Sequence, residues 1–187
     1  MVALRRRSAR SRSRAFGITL VMFAVEFGRD GSDGMNEKVG ADGVDLAVRD
    51  GYRFWSRDVL RFADLDPNGH VNNIAYAVFC ENGRVEFRES HYPKMETGAG
   101  TDFVIVRFAI DYIGALYYPG VVEVGTRALG VGRSSYRLGQ GLFGEDRCVA
   151  TAESVIVCID PMSKRSRPIP DGLRQSLLAG LDPPAGG

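Results

Sequence analysis

The chain has 187 residues, of which 44% are hydrophobic and 25% are charged, and this length suits one domain with a buried core. Its 24 lysine and arginine residues nearly balance 23 acidic residues, which argues against nucleic acid as a partner. The three cysteines and two histidines form no CxxC or similar ligand pair. We therefore expect no metal site, no disulfide framework and a reducing, cytoplasmic location.

The N-terminal segment differs in composition from the rest of the chain. Residues 1–14 are rich in arginine and serine without any acid, and an apolar run follows at residues 15–25. That run is short for a membrane-spanning helix, which needs about 20 residues, so no membrane span is expected. Three interpretations stay open: a start placed too early, with Met35 as the true first residue, a disordered or targeting extension, and a membrane anchor. We assign residues 1–50 to such a disordered or wrongly included extension.

The first predicted elements are a strand and a helix. Residues 52–62 combine aromatic and arginine side chains in a β-prone run, which predicts a strand. Residues 63–70 read ADLDPNGH, a sequence typical of a tight turn. Residues 72–90 contain no proline and predict a helix, and its part at 74–80 is apolar on nearly every side, which indicates burial.

The second half of the chain predicts β-structure, because its apolar residues alternate with a period of two. Two glycines inside one strand, Gly139 and Gly141, indicate a bulge. The order of strand, buried helix and further strands joined by short turns predicts an α+β domain at 51–180, with an antiparallel sheet wrapped around one helix. Residues 181–187 are expected to be a disordered tail. The further elements are strands at 104–112, 122–131, 136–142 and 147–159 and a short helix at 171–178.

Polar side chains are concentrated between the first predicted strand and the helix. The segment 64–73 reads DLDPNGHVNN and lies on a turn that leads into the helix N-terminus. Helix N-termini present unpaired N–H groups, so a carboxylate nearby can attack an electrophile whose developing oxyanion those groups hold. Asp, Asn and Gly are also ordinary helix caps. One cap suffices for one helix, however, and this segment offers five candidates, which favours a catalytic site.

The sequence of residues 61–87, RFADLDPNGHVNNIAYAVFCENGRVEF, resembles the signature of hotdog-fold acyl-CoA and acyl-carrier-protein thioesterases, the 4-hydroxybenzoyl-CoA thioesterase-like group. The similarity extends over about residues 52–180, including the turn 132–135 and Pro168–Pro170. It implies the hotdog fold, thioester hydrolysis to a carboxylic acid and a free thiol, and no cofactor beyond the coenzyme A or carrier protein of the substrate. It also implies a homodimer or homotetramer, with each site built from two subunits.

The resemblance assigns roles to individual residues of the turn. It places the catalytic carboxylate at Asp66, further active residues at Asn68 and His70, and a carbonyl-polarising backbone N–H near Asn73. A buried histidine at the helix entry, bonded to the backbone, is an equally open interpretation of His70. Because a thiol with a pKa near 8.5 leaves as thiolate without a strong acid, Asp66 could attack the carbonyl to give a mixed anhydride, or activate a water as general base.

Other residues near the turn have expected structural or substrate-binding roles, and two other functions stay open. Asp64 is expected to shape the turn, and Asn72, with Asn73, to cap the helix. The turn residues Arg133, Ser134 and Ser135 could bind the phosphates of coenzyme A, or form a solvated turn. The alternative functions are a non-catalytic hotdog module that binds acyl thioesters, and a hotdog dehydratase, which the sequence His91-Tyr92-Pro93 weakly resembles.

Overall fold

The computed structural model describes residues 18–20, 44–92, 101–145 and 147–181. The described part leaves out most of the predicted extension (up to residue 43, apart from 18–20), residues 93–100, Asp146 and residues 182–187 of the predicted tail. The elements in chain order are β1 (Ile18–Leu20), β2 (Phe54–Val59), α1 (Asn73–His91), β3 (Asp102–Tyr112), β4 (Val121–Val131), β5 (Ser135–Gly144), β6 (Arg147–Ile159) and α2 (Asp171–Ala179).

The strands form one antiparallel sheet in the order β1-β3-β6-β5-β4-β2. Helix α1 lies on one face of this sheet, and their buried side chains form the main core. Phe79 on the helix packs there with Val124 and Leu142, and none of the three is more than 2% exposed. The predicted α+β architecture, an antiparallel sheet around one long helix, is confirmed.

Helix α1 is less completely buried than its sequence indicated. Ile74 is 68% exposed, Val78 38% and Val85 44%. These three residues form an apolar stripe along one side of the helix, which we call the α1 stripe. The prediction of burial on nearly every side of 74–80 is therefore wrong for the single chain.

Strand β3 also departs from simple alternation. Its pairing with β6 shifts register between Ile105 and Arg107. The irregularity leaves Val106 41% exposed, whereas Phe108 and Ile110 face the core. A bulge adds one residue to a strand and changes which face the next side chains occupy. The predicted alternation of buried and exposed side chains therefore holds only for the residues that follow the bulge.

Gly139 and Gly141 serve close packing and not a bulge, because both pair regularly with β4 and β6. A side chain at Gly139 would collide with Leu46, and one at Gly141 with the Leu46 backbone and the Tyr52 hydroxyl. Together with Gly125, they form a glycine strip on the face of the sheet that α1 does not cover. Residues 44–52, which we call the strap, fill it.

The strap changes the predicted limits of the domain. Within it the Tyr52 hydroxyl donates to the Leu46 carbonyl at 2.6 Å, and Arg49 contacts Glu123 of β4 at 2.6 Å. The packed structure therefore includes residues before the predicted boundary at 51. Upstream, β1 pairs with residues 108–110 of β3, a strand that the sequence did not predict. No helix in the described parts of the chain is long and apolar enough to cross a membrane.

Candidate active site

The chemistry-bearing segment forms a closed turn between β2 and α1. The Asp66 N–H donates to the His70 carbonyl at 2.7 Å, and the Gly69 N–H donates to the Asp66 carbonyl at 3.0 Å. Gly69 has φ of 78°, a conformation that side chains disfavour. The glycine of the motif is thus needed to close the turn, which we call the Asp66 loop (residues 66–70).

The Asp66 carboxylate lies at the centre of this loop. Its Oδ1 accepts the N–H groups of Asn68 at 2.8 Å and His70 at 3.1 Å, and its Oδ2 accepts the Asn68 side-chain amide at 3.4 Å. Partial desolvation opposes ionisation, but these donors outweigh it and hold the pKa of Asp66 below its ordinary value. The group is therefore a carboxylate at neutral pH, suited to act as a base or nucleophile.

Asp64 occupies a different environment from Asp66. It is 7% exposed, and its carboxylate accepts the Arg61 N–H at 2.8 Å and the Arg61 guanidinium at 2.9 Å. Burial opposes its ionisation, but the bonds from Arg61 hold the pKa of Asp64 below its usual range. Its carbonyl accepts the Asn72 N–H at 2.7 Å. These bonds tie the turn together, as expected for a residue that shapes it.

The first turn of α1 begins at a side-chain cap. Asn72 is the N-cap, and its Oδ1 accepts the Ile74 N–H at 2.9 Å, as predicted. Asn73, the other predicted cap, is the first helical residue instead. Its carbonyl accepts the Tyr112 hydroxyl at 3.1 Å. This bond joins the start of α1 to the end of β3.

A groove of about 380 Å³ opens beside the Asp66 loop. It brings together Asp66, His70 and Asn73 of the predicted site. Among the described lining residues, Asp66 carries the only carboxylate. The other lining residues are Val71, Tyr76, Tyr112, Ile113, Gly114 and Ala115.

The remaining loop residues contact Asp66 in different ways. Asn68 lies outside the groove lining and holds the carboxylate through its backbone and its side-chain amide. The His70 backbone N–H bonds to the carboxylate, whereas its exposed ring lies edge-on to the Tyr117 ring, with 5.2 Å between ring centres. Asn68 and the His70 backbone N–H thus hold the Asp66 carboxylate in one orientation.

The turn with Arg133, Ser134 and Ser135 lies far from the groove within one chain. Ser135 pairs with Val157, which in turn pairs with Val104 near the start of β3. The groove lies past Tyr112, at the other end of β3. A single chain therefore does not bring this turn and Asp66 to one substrate. The turn is instead fixed by backbone bonds, such as the one from the Cys158 N–H to the Ser134 carbonyl at 2.8 Å.

Two tyrosines of the groove were missed in the sequence analysis. The Tyr76 hydroxyl donates to the Gly114 carbonyl at 3.1 Å and accepts the Leu116 N–H at 3.0 Å. Its ring lies edge-on to that of Tyr112, with 5.3 Å between ring centres. The available signal was Tyr76 itself, a side chain with a hydroxyl group inside the run 74–80 that the sequence predicts to be buried. Among the described residues, no group of three or more His, Cys, Asp or Glu side chains could hold a metal ion.

Comparison with known proteins identifies the family. A model of the thioesterase-like superfamily matches residues 60–177, more than half of the chain. The chain belongs to this superfamily. The family predicted from the signature is therefore confirmed. Acyl-CoA thioester hydrolase YbgC of Escherichia coli is 23% identical over 115 residues, which cover 60% of this chain and 86% of that protein. A 1,4-dihydroxy-2-naphthoyl-CoA hydrolase of Synechococcus elongatus is 24% identical over 132 residues, covering 66% and 94% respectively.

Solved structures of other proteins match the fold. A thioesterase of Thermus thermophilus, complexed with coenzyme A and Zn, has a TM-score of 0.63 at 31% identity and covers 72% of this chain and 98% of its own. A protein of Pseudomonas aeruginosa strain PAO1 has a TM-score of 0.66 at 28% identity, with coverage of 74% and 97%. The matched part of this chain therefore spans nearly the whole length of these two proteins.

Proposed function

We propose that the protein hydrolyses acyl-CoA thioesters to a carboxylic acid and coenzyme A, with Asp66 as the catalytic carboxylate. The observation that carries this proposal is the ionised Asp66 side chain in a groove beside the N-terminus of α1. The superfamily and the coenzyme A thioesters in the names of its relatives support the reaction class. His91, the start of the weak dehydratase motif, lies at the far end of α1 and gives that alternative no support.

The first turn of α1 offers a donor for the oxyanion. Among the described residues, the N–H groups of Asn72, Ile74 and Ala75 all donate to acceptors in the cap and the turn. No described residue accepts the Asn73 N–H in this way, and Asn73 lines the groove. An unpaired N–H at a helix N-terminus stabilises a developing negative charge. We assign it to the thioester carbonyl oxygen.

Two routes are compatible with this arrangement. In the first, an Asp66 oxygen attacks the carbonyl carbon, the thiolate leaves, and water hydrolyses the resulting anhydride. In the second, Asp66 removes a proton from a water that attacks the carbonyl directly. A thiolate leaves without a strong general acid in either route. Asn68 and the His70 backbone keep the carboxylate oriented in both.

A second copy of the chain would complete the site. The α1 stripe is exposed and begins at Ile74, the residue after Asn73 of the groove, and β3 is an edge strand except where the short β1 pairs with it. Two copies paired along β3 by a twofold axis would run antiparallel. The start of β3 in one copy would then lie near the Asp66 groove of the other. We propose that the partner's turn with Arg133, Ser134 and Ser135 reaches the coenzyme A in this way, with β1 displaced.

A thiol-release assay tests the function. The purified protein is offered acyl-CoAs of different chain length and aromatic acyl-CoAs, and the same acyl groups on acyl carrier protein. We expect thiol release from at least one acyl-CoA, and its loss in Asp66→Asn. Release from the carrier-protein substrates alone would contradict coenzyme A as the carrier. No release from either set would contradict hydrolysis and favour a binding module.

A further inference from the structure

Tyr76 connects the two walls of the groove. Its side chain lies on the second turn of α1, and the residue is 3% exposed. Its hydroxyl bonds to both Gly114 and Leu116 of the segment that forms the opposite wall. The Leu116 carbonyl in turn accepts the Val71 N–H at 3.0 Å, directly after the Asp66 loop. One hydroxyl therefore links helix, wall and loop.

The same bonds leave Tyr76 without a chemical part in the reaction. Its hydroxyl donates a hydrogen bond to the Gly114 carbonyl and accepts one from the Leu116 N–H. Burial also raises the pKa of Tyr76, so the hydroxyl keeps its proton at neutral pH. It is not available to donate to a leaving group or to act as a base. What it controls is the distance between the wall at 113–116 and the Asp66 loop.

We propose that Tyr76 is a positioning residue that fixes the wall of the groove, and with it the thioester carbonyl, relative to the Asp66 carboxylate. This inference rests on the proposed function. A small displacement of the reacting carbon from an attacking group lowers the rate of the chemical step far more than it weakens binding. The hydroxyl of Tyr76 should therefore matter for turnover although it touches no reacting atom.

Tyr76→Phe tests the proposal, because it removes one oxygen and keeps the ring. Tyr52→Phe is the matched control. Tyr52 is also buried, at 6% exposed, and its hydroxyl also donates to a backbone carbonyl, but it lies on the other face of the sheet. Both variants should lower Tm to a similar extent. We expect kcat to fall by about tenfold or more in Tyr76→Phe only, with KM changed much less and an unchanged pH profile.

The control also separates positioning from a general loss of structure. A kcat of Tyr76→Phe within about twofold of the parent, or an equal fall in Tyr52→Phe, would overturn the inference. If the parent protein hydrolyses no thioester, the proposed function fails, and amide hydrogen exchange decides the point instead. Faster exchange at Leu116 and Val71 in Tyr76→Phe is then expected, and unchanged exchange at both would overturn the link between wall and loop.

Discussion

Replacing Asp66 by asparagine separates its chemistry from its part in the loop. Both backbone N–H groups that bond to the carboxylate, from Asn68 and His70, go to the same oxygen, Oδ1. An asparagine retains such an oxygen and can keep both bonds, but it loses the negative charge and the second acceptor. Asp66→Ala removes the charge and the bonds together. Both variants therefore lose the negative charge, but only Asp66→Ala also loses the oxygen that accepts the two backbone N–H groups.

The expected loss of activity follows from the composition of the groove. A positioned base contributes about a hundredfold to ten-thousandfold to the rate. No second carboxylate lines the described part of the groove to replace Asp66. Both variants should therefore lower kcat by about a hundredfold or more. Tm should stay near that of the parent in Asp66→Asn and fall in Asp66→Ala, where the turn loses its acceptor.

Asp64 provides the control for this experiment. It is buried and bonded to Arg61 away from the groove, so Asp64→Ala should lower the free energy of unfolding by about 2 kcal/mol. Its turnover per folded molecule should remain within a few-fold of the parent. Thiol release gives kcat, and urea unfolding gives the stability. An Asp66→Asn variant that keeps more than a tenth of the parent's turnover would refute the assignment of Asp66.

The other predictions concern pH, association and the N-terminal segment. Because the pKa of Asp66 lies below its ordinary value, kcat/KM should fall only at a pH below the range in which an ordinary aspartate titrates, and an acid limb above that range would contradict the free-enzyme geometry. Val78→Glu, which puts a charge into the α1 stripe, should shift sedimentation toward monomer and lower activity, whereas Met162→Glu, at a residue 90% exposed elsewhere, should change neither. Removal of residues 1–34 should leave a folded and active protein that pairs along β3 at least as well, and precipitation or inactivity after truncation would overturn this.

The sequence predicted the sheet and helices well because each element carries a local signal. Strand β6 matches its predicted range, residues 147–159, and α2 differs by one residue. The bulge at Val106 was missed, because hydrophobic alternation continues through it in sequence. The glycine strip was misinterpreted since the residues that need the space, Leu46 and Tyr52, are far away along the chain. Contacts of that kind have no local signature.

The residues around the candidate site could be predicted less completely than the fold. The loop motif placed Asp66, His70 and Asn73 in one groove, since they are close in sequence and joined by a turn. The opposite wall at 113–116 follows β3, and nothing in its composition indicates a functional site. The link to Tyr76 depends on hydrogen bonds between residues about 40 positions apart. Sequence proximity therefore reveals one side of the groove only.

The strap has a consequence for the order in which the protein is made. Leu46 and Tyr52 leave the ribosome well before Gly139 and Gly141, which form much of the surface they cover. Until β5 has been synthesised, these apolar side chains have no place to dock, and the loop they must close is long. In a nascent chain that has completed β2, α1 and β3, the strap still has no sheet surface to pack against. Translation pauses before β5 would lengthen that exposure, and the segment most sensitive to them would be residues 44–52.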